Sequence, residues 1–189
     1  GVLHLDPLWL TEKNGHTCPF TWDHQAFPDP KAMITALRNH GIRLSLWINP
    51  FLPRGSAVYQ EAAENGYLVH TVDGDVARLP RFGDDSGVVD FTNPAAREWY
   101  KTLLRPLLAL GVAAFKTDFG ETAPFEEVRY ANGVSGKVGH NLNALYYQQT
   151  VYEVTEEVYP GQAVVWGRSG YAGSQRCSLQ WGRGNRRTL

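Results

Sequence analysis

Short, continuous apolar runs alternate along the chain with segments whose apolar residues recur at helical spacing. Residues 2–9 and 42–48 read as strands, as do the runs 112–118 and 163–166. Between the first two, Asp29 caps a helix predicted over 30–40, with Pro30 at its first position and Gly41 past its end. Met33, Ile34 and Leu37 give it a buried stripe. A shorter helix is predicted over 56–65, closed by Gly66. Asp73-Gly74 marks a turn in a small β excursion spanning 67–90. Asn93 and Pro94 open a long helix in which Trp99, Leu103, Leu104, Leu107 and Leu108 recur, and Pro106 is expected to kink or divide it. A polar, glycine-bearing loop is expected from Ala123 to Gly139. A helix over 141–158 follows, with Leu145, Tyr146, Gln149, Tyr152 and Val158 partly facing inward.

Strands alternating with helices imply a parallel sheet covered on both faces. Two architectures satisfy that order, a (β/α)8 TIM barrel and an open doubly wound sheet. A dinucleotide-binding sheet needs a glycine-rich turn after its first strand, and none follows Leu8-Trp9. Asp6, Trp47, Asp118 and Arg168 fall at or near the carboxyl ends of four different strands, which converge on one site in a barrel. The pattern therefore predicts an α/β barrel. About four principal strands, against eight in a complete barrel, lead us to expect one incomplete barrel domain over 1–189. That domain would be about the first half of the barrel, truncated at the C-terminus.

Composition narrows the chemistry. The 189 residues are 43% hydrophobic, enough for one domain with a real core. A net charge of -1 gives no electrostatic reason to expect nucleic acid or an anionic membrane as a partner. No apolar run reaches transmembrane length. Cys18 and Cys177 form neither a disulfide framework nor a zinc motif, and we expect reduced thiols in a cytoplasmic protein. His4, His16, His24, His40 and His70 show no metal-ligand spacing.

The densest chemistry lies in Phe115-Lys116-Thr117-Asp118-Phe119-Gly120-Glu121. A buried strand tolerates charge only where it emerges at its end. Lys116 and Asp118, two residues apart, point to one side of an extended backbone. A lysine ammonium beside a carboxylate favours the ionised form that a nucleophile requires. The same pair also reads as a structural ion pair at a strand end.

Lys116-Thr117-Asp118-Phe119-Gly120-Glu121 resembles the nucleophile motif of glycoside hydrolase family 31, the α-glucosidase and α-xylosidase family. Further segments agree in order and spacing: His4-Leu5-Asp6-Pro7-Leu8-Trp9, Leu46-Trp47-Ile48-Asn49-Pro50, Asp90-Phe91-Thr92-Asn93-Pro94, Gly167-Arg168-Ser169 and Gly173-Ser174-Gln175. Together they cover nearly the whole chain, and the Lys-Thr-Asp-Phe-Gly-Glu variant is similar to the α-xylosidase-like branch. The resemblance implies a retaining glycosidase that acts on terminal α-linked sugars and needs no metal or cofactor. Asp118 is implied as the nucleophile that forms a covalent glycosyl ester. Asp6 and Lys116 would contact the sugar, Trp47 and Trp181 would wall the pocket, and Arg168 would orient a carboxylate or a hydroxyl.

Two departures bear on activity. The family's Trp-Gly-Gly-Asp element supplies the acid/base, whereas this chain reads Trp181-Gly182-Arg183-Gly184. Gly184 cannot transfer a proton, so a weakly active or inactive fragment is expected. Pro7-Leu8 stands where α-xylosidase-like members often carry Cys-Phe, which leaves xylose and glucose both open. The alternative reading is a non-catalytic carbohydrate-binding remnant of the same barrel. A phosphate-sugar isomerase is a third, and no glycine-rich phosphate loop supports it. Glu121 and His140 are read as supporting residues, and Asp73, Asp75, Asp84 and Asp85 as turn and surface charges.

Overall fold

The computed structural model describes residues 1–11, 16–79, 86–124 and 126–181. Five strands form one wholly parallel sheet: β1 (Val2–Leu5), β2 (Arg43–Ile48), β6 (Ala114–Thr117), β8 (Val164–Gly167) and β9 (Leu179–Gln180). Their spatial order is β1-β2-β6-β8-β9, the sequential order of one wall of a barrel. Two antiparallel pairs stand beyond its carboxyl end. β3 (Phe51–Pro53) pairs with β5 (Ser86–Val88), and β4 (His70–Thr71) pairs with β7 (Val128–Arg129).

Among the described residues, four α-helices accompany these strands: α1 (Pro30–Asn39), α2 (Ala57–Glu64), α3 (Pro94–Leu110) and α4 (Gly136–Val158). Their starts follow from local chemistry. The Asp29, Ser56 and Asn93 side chains accept from Ala32, Tyr59 and Ala95 N–H groups, so three otherwise orphaned donors are satisfied. Leu44, Leu46 and Ile48 of β2, Phe115 of β6 and Val165 of β8 are buried in the core with Ile34 of α1 and with Tyr100, Leu104 and Leu108 of α3. Residues two apart on a strand share a face, so Ser45, Trp47, Lys116 and Trp166 project to the opposite, inward side. Among the described residues, no helix is long and apolar enough to cross a membrane.

Four expectations need correction. The first strand stops at Leu5, because Pro7 opens a 3-10 turn over Pro7–Trp9 that the apolar pattern had merged with it. α3 runs undivided through Pro106, which lies on an exposed face; burial of Trp99, Leu104, Leu107 and Leu108 outweighs one absent backbone bond. α4 begins at Gly136, well inside the expected loop, and that loop also contains β7. Leu145, Tyr146, Gln149 and Tyr152 are partly covered as expected, but Val158 is exposed, and the deepest face of α4 carries Ala144, Tyr147, Gln148, Val151, Val154 and Thr155. Buried Asn143, Gln148, Thr150 and Thr155 break the apolar period there, and each is hydrogen-bonded. The two-residue β9 had no legible signal.

Candidate active site

The carboxyl end of β6 delivers Asp118. Its N–H donates to Ile48 O at 2.9 Å, extending the ladder by one residue beyond the strand. Its carboxylate then receives donors from three directions. Trp47 Nε1 donates to Oδ2 at 2.8 Å, the Phe119 N–H to Oδ1 at 2.9 Å, and Arg168 Nη1 to Oδ1 at 3.3 Å. Trp47 stands on β2 and Arg168 directly follows β8, the two strands flanking β6, so strand register places both side-chain donors and the turn after Asp118 supplies the third.

The chain turns sharply after Asp118. Phe119 has φ 57° and Gly120 φ 101°, two successive left-handed residues. The first is costly for a residue with a Cβ, by about 1–2 kcal/mol. The second must be glycine, since a Cβ would also collide with Ser169 Oγ. The turn brings the Phe119 ring to 4.5 Å beneath the Arg168 guanidinium, and Arg168 Nη2 meets Glu121 Oε1 at 2.6 Å. Arg168 is thereby clamped between two carboxylates and an aromatic face.

A buried polar link stands behind this cluster. Thr117 Oγ1 donates to Gln148 Oε1, and Gln148 Nε2 donates to Ser169 Oγ at 3.4 Å. Gln148 is fully buried, and it joins the residue before Asp118 to the residue after Arg168. A Cβ at Gly167 would strike this amide, so the close approach requires glycine.

Asp6 anchors a second cluster. Its Oδ1 accepts from Lys116 Nζ at 2.9 Å and faces His4 Nε2 at 3.3 Å. Burial alone would raise the Asp6 carboxyl, but the Lys116 hydrogen bond and charge, with His4 beside them, hold it below its ordinary value. Burial pushes the His4 imidazole down, against the opposing pull of Asp6. Lys116 Nζ also lies 5.5 Å from the Trp166 ring and 5.3 Å from the Trp181 ring, and those two rings are 5.4 Å apart.

The fold thus gathers Asp6, Trp47, Lys116, Asp118, Arg168 and Trp181 at the carboxyl end of one sheet. One pairing differs from expectation. Lys116 bonds to Asp6, two strands away, and the partner of Asp118 is Arg168. Sequence spacing fixes the face a side chain occupies, and strand order decides which carboxylate a long lysine stem reaches. His140 lies inside α4 with Nδ1 2.6 Å from Ala123 O. Gly184, Asp84 and Asp85 lie outside the described residues. Sequence reasoning missed Phe119, Ser45, Trp166 and Gln148, and gave His4 no role beyond lacking metal spacing. The two-residue period was an available signal, since His4 precedes Asp6 and Ser45 precedes Trp47 on the same faces.

A parallel wall with two carboxylates, two cations and tryptophan faces at its carboxyl end is the arrangement of a barrel enzyme with a polar, aromatic-lined pocket. The chain belongs to glycoside hydrolase family 31, because residues 1–189 match the TIM-barrel domain of the family 31 glycosyl hydrolases. An α-xylosidase of Lactiplantibacillus pentosus is 38% identical over 169 residues, which cover 89% of this chain and 22% of that protein. An α-xylosidase of Emericella nidulans is 35% identical over 96% of this chain and 23% of its own length. A solved family 31 α-xylosidase from a soil metagenome, complexed with xylose, superposes with TM-score 0.81 at 30% identity, over 96% of this chain and 27% of that one. A solved family 31 sulfoquinovosidase from E. rectale reaches TM-score 0.84 at 27% identity, over 95% of this chain and 28% of that one. The chain therefore spans between a fifth and a third of the length of these relatives.

Proposed function

We propose that this chain carries the nucleophile side of a retaining α-glycoside hydrolase of α-xylosidase or α-glucosidase type. The observation that carries the reading is the hydrogen-bonded Asp118 carboxylate, held by Trp47, Arg168 and the Phe119 N–H at a strand's carboxyl end. Among the described residues, Oδ2 has a single donor and so keeps the freer lone pair. That pair attacks the anomeric carbon, the bond from that carbon to the leaving oxygen breaks, and the departing oxygen takes the electrons. Water then bonds through its oxygen to the anomeric carbon as the ester C–O bond breaks; the Asp118 carboxylate returns, and the proton that water loses balances the oxygen that departed in the first step. Asp6 accepts a sugar hydroxyl and Trp181 walls the subsite, whereas Trp47, expected as a second wall, is fully buried and serves by donating to Asp118. An α-linked glycoside is the substrate class, and the two α-xylosidase relatives make a xyloside the first probe. Cysteine usage is the basis for a cytoplasmic placement.

Gly184 stands where the family motif would put the acid, which favours a second reading, sugar binding without turnover. An activated aryl α-xyloside separates the two, because its phenolate departs without acid assistance. On the proposed function, the protein releases about one equivalent of phenolate per chain in a first phase and holds the sugar on Asp118, because the water step that follows lacks a base at Gly184 and is slow. Binding of the xyloside with no phenolate released would leave only the second reading.

A further inference from the structure

A second hydrogen-bond chain runs along the inward face, apart from the donors around Asp118. Trp166 Nε1 of β8 donates to Ser45 Oγ of β2 at 3.0 Å. Ser45 Oγ lies 3.2 Å from His4 Nδ1 of β1, and His4 Nε2 lies 3.3 Å from Asp6 Oδ1. The chain crosses β6 where Ala114 is in register with Ser45, and the small side chain leaves room for the indole. The His4 ring also meets the Trp166 ring edge-on, with centroids 4.7 Å apart. His4 is thus held by contacts from two other strands.

The chemistry of the four groups fixes the direction of the chain. An indole N–H only donates, so Ser45 Oγ is its acceptor. A carboxylate oxygen only accepts, so the His4 nitrogen facing Asp6 must carry a proton. The neutral ring has one proton, which leaves Nδ1 as an acceptor for the Ser45 hydroxyl. The opposite tautomer would set a nitrogen lone pair against the Asp6 carboxylate. Among the described residues, the charged groups facing His4 are Asp6 and Lys116, and Ser45, through its hydroxyl and its backbone, and Trp166 also meet the ring.

We propose that His4, as its Nε2–H tautomer, is a positioning residue that fixes the rotation of the Asp6 carboxylate for a sugar hydroxyl. The inference rests on the proposed function in taking Asp6 as a sugar contact. Lys116 and His4 both bond to Oδ1, so two donors from different strands pin that oxygen. Oδ2 has no protein partner among the described residues and is left as the acceptor. Lys116 alone would restrain one point through a flexible stem. The second donor converts a tether into an orientation.

The test compares His4→Gln with His4→Asn, because a glutamine amide reaches the Nε2 position and an asparagine amide only the Nδ1 position. Single-turnover phenolate release is followed against the concentration of 4-nitrophenyl α-xyloside. His4→Ala and His4→Asn should raise the half-saturating concentration by roughly fivefold to tenfold, the worth of one ordinary hydrogen bond, and His4→Gln should recover most of it. Equal behaviour of the two amides, or an effect carried by the limiting rate, overturns the proposal. Nitrogen-15 correlation spectra of wild-type His4 at neutral pH give a readout independent of turnover. They should show a protonated Nε2 and a bare Nδ1, and the reverse tautomer also overturns it. Failure of the wild-type protein to release phenolate counts against the proposed function, and the tautomer then decides the role of His4 by itself.

Discussion

The two faces of the parallel sheet use opposite means to stay in place. On the outward face, Leu44, Leu46, Ile48, Phe115 and Val165 are buried against the helices, and their contribution scales with apolar area. On the inward face, Ser45, Trp47, Lys116, Trp166 and the residues just beyond the strands are tied by directional bonds that each need one partner at one distance. The same backbone thus separates stability from chemistry by residue parity. An outward substitution should change how firmly the sheet holds, and an inward one should change what it does.

The largest effect that sharpens this contrast is expected at Asp118. Asp118→Asn should lower phenolate release from an aryl α-xyloside by roughly 10⁴-fold or more while the melting temperature stays close to wild type. Loss of folding together with activity would merge the two faces and break the comparison.

Gln148 comes next, because it is a fully buried polar side chain on the outward side that bridges two strand ends. Gln148→Leu strips Thr117 and Ser169 of a buried partner and should destabilise the chain by about 1–3 kcal/mol in denaturant titration. A neutral result would mean that the link from α4 to the two strand ends adds nothing to stability.

A smaller effect concerns acid. The folded Asp6 carboxyl titrates below 3.8, its ordinary value. The Asp6–Lys116 pair therefore contributes in full above that pH and is lost as pH falls through the folded value. NMR titration should show the Asp6 carboxyl moving upward in Lys116→Met, and an unchanged midpoint would remove Lys116 as its main partner. The least effect belongs to the exposed Arg105–Glu157 pair between α3 and α4, with Nη2 to Oε2 at 3.0 Å. A double-mutant cycle there should give a coupling under about 1 kcal/mol, and a larger value would show the outward surface to be more geometric than supposed.

What the sequence revealed follows the same division. Helix starts were legible at Asp29, Ser56 and Asn93 because one side chain caps one N–H a few residues away. Asp6, Trp47, Asp118 and Arg168 were legible as strand-end residues, and the family motifs agreed with that placement. The Lys116–Asp6 bond was not legible, since it depends on strand order across 110 residues of chain. The buried face of α4 was hidden because Gln148 and Asn143 satisfy hydrogen bonds there, where an apolar period would have marked it. His4 and Ser45 lay in plain alternation with Asp6 and Trp47, and only the cross-strand register shows that they meet.

The central claim is that Asp118 is the nucleophile, and covalent capture tests it most directly. The protein is incubated with a fluorinated α-xylosyl fluoride, which forms the glycosyl ester readily and releases it slowly, and the labelled peptide is mapped by mass spectrometry. The account predicts one sugar per chain, attached to Asp118 and absent from Asp118→Ala. A label on Glu121 or any other residue, or undiminished labelling of Asp118→Ala, would contradict it.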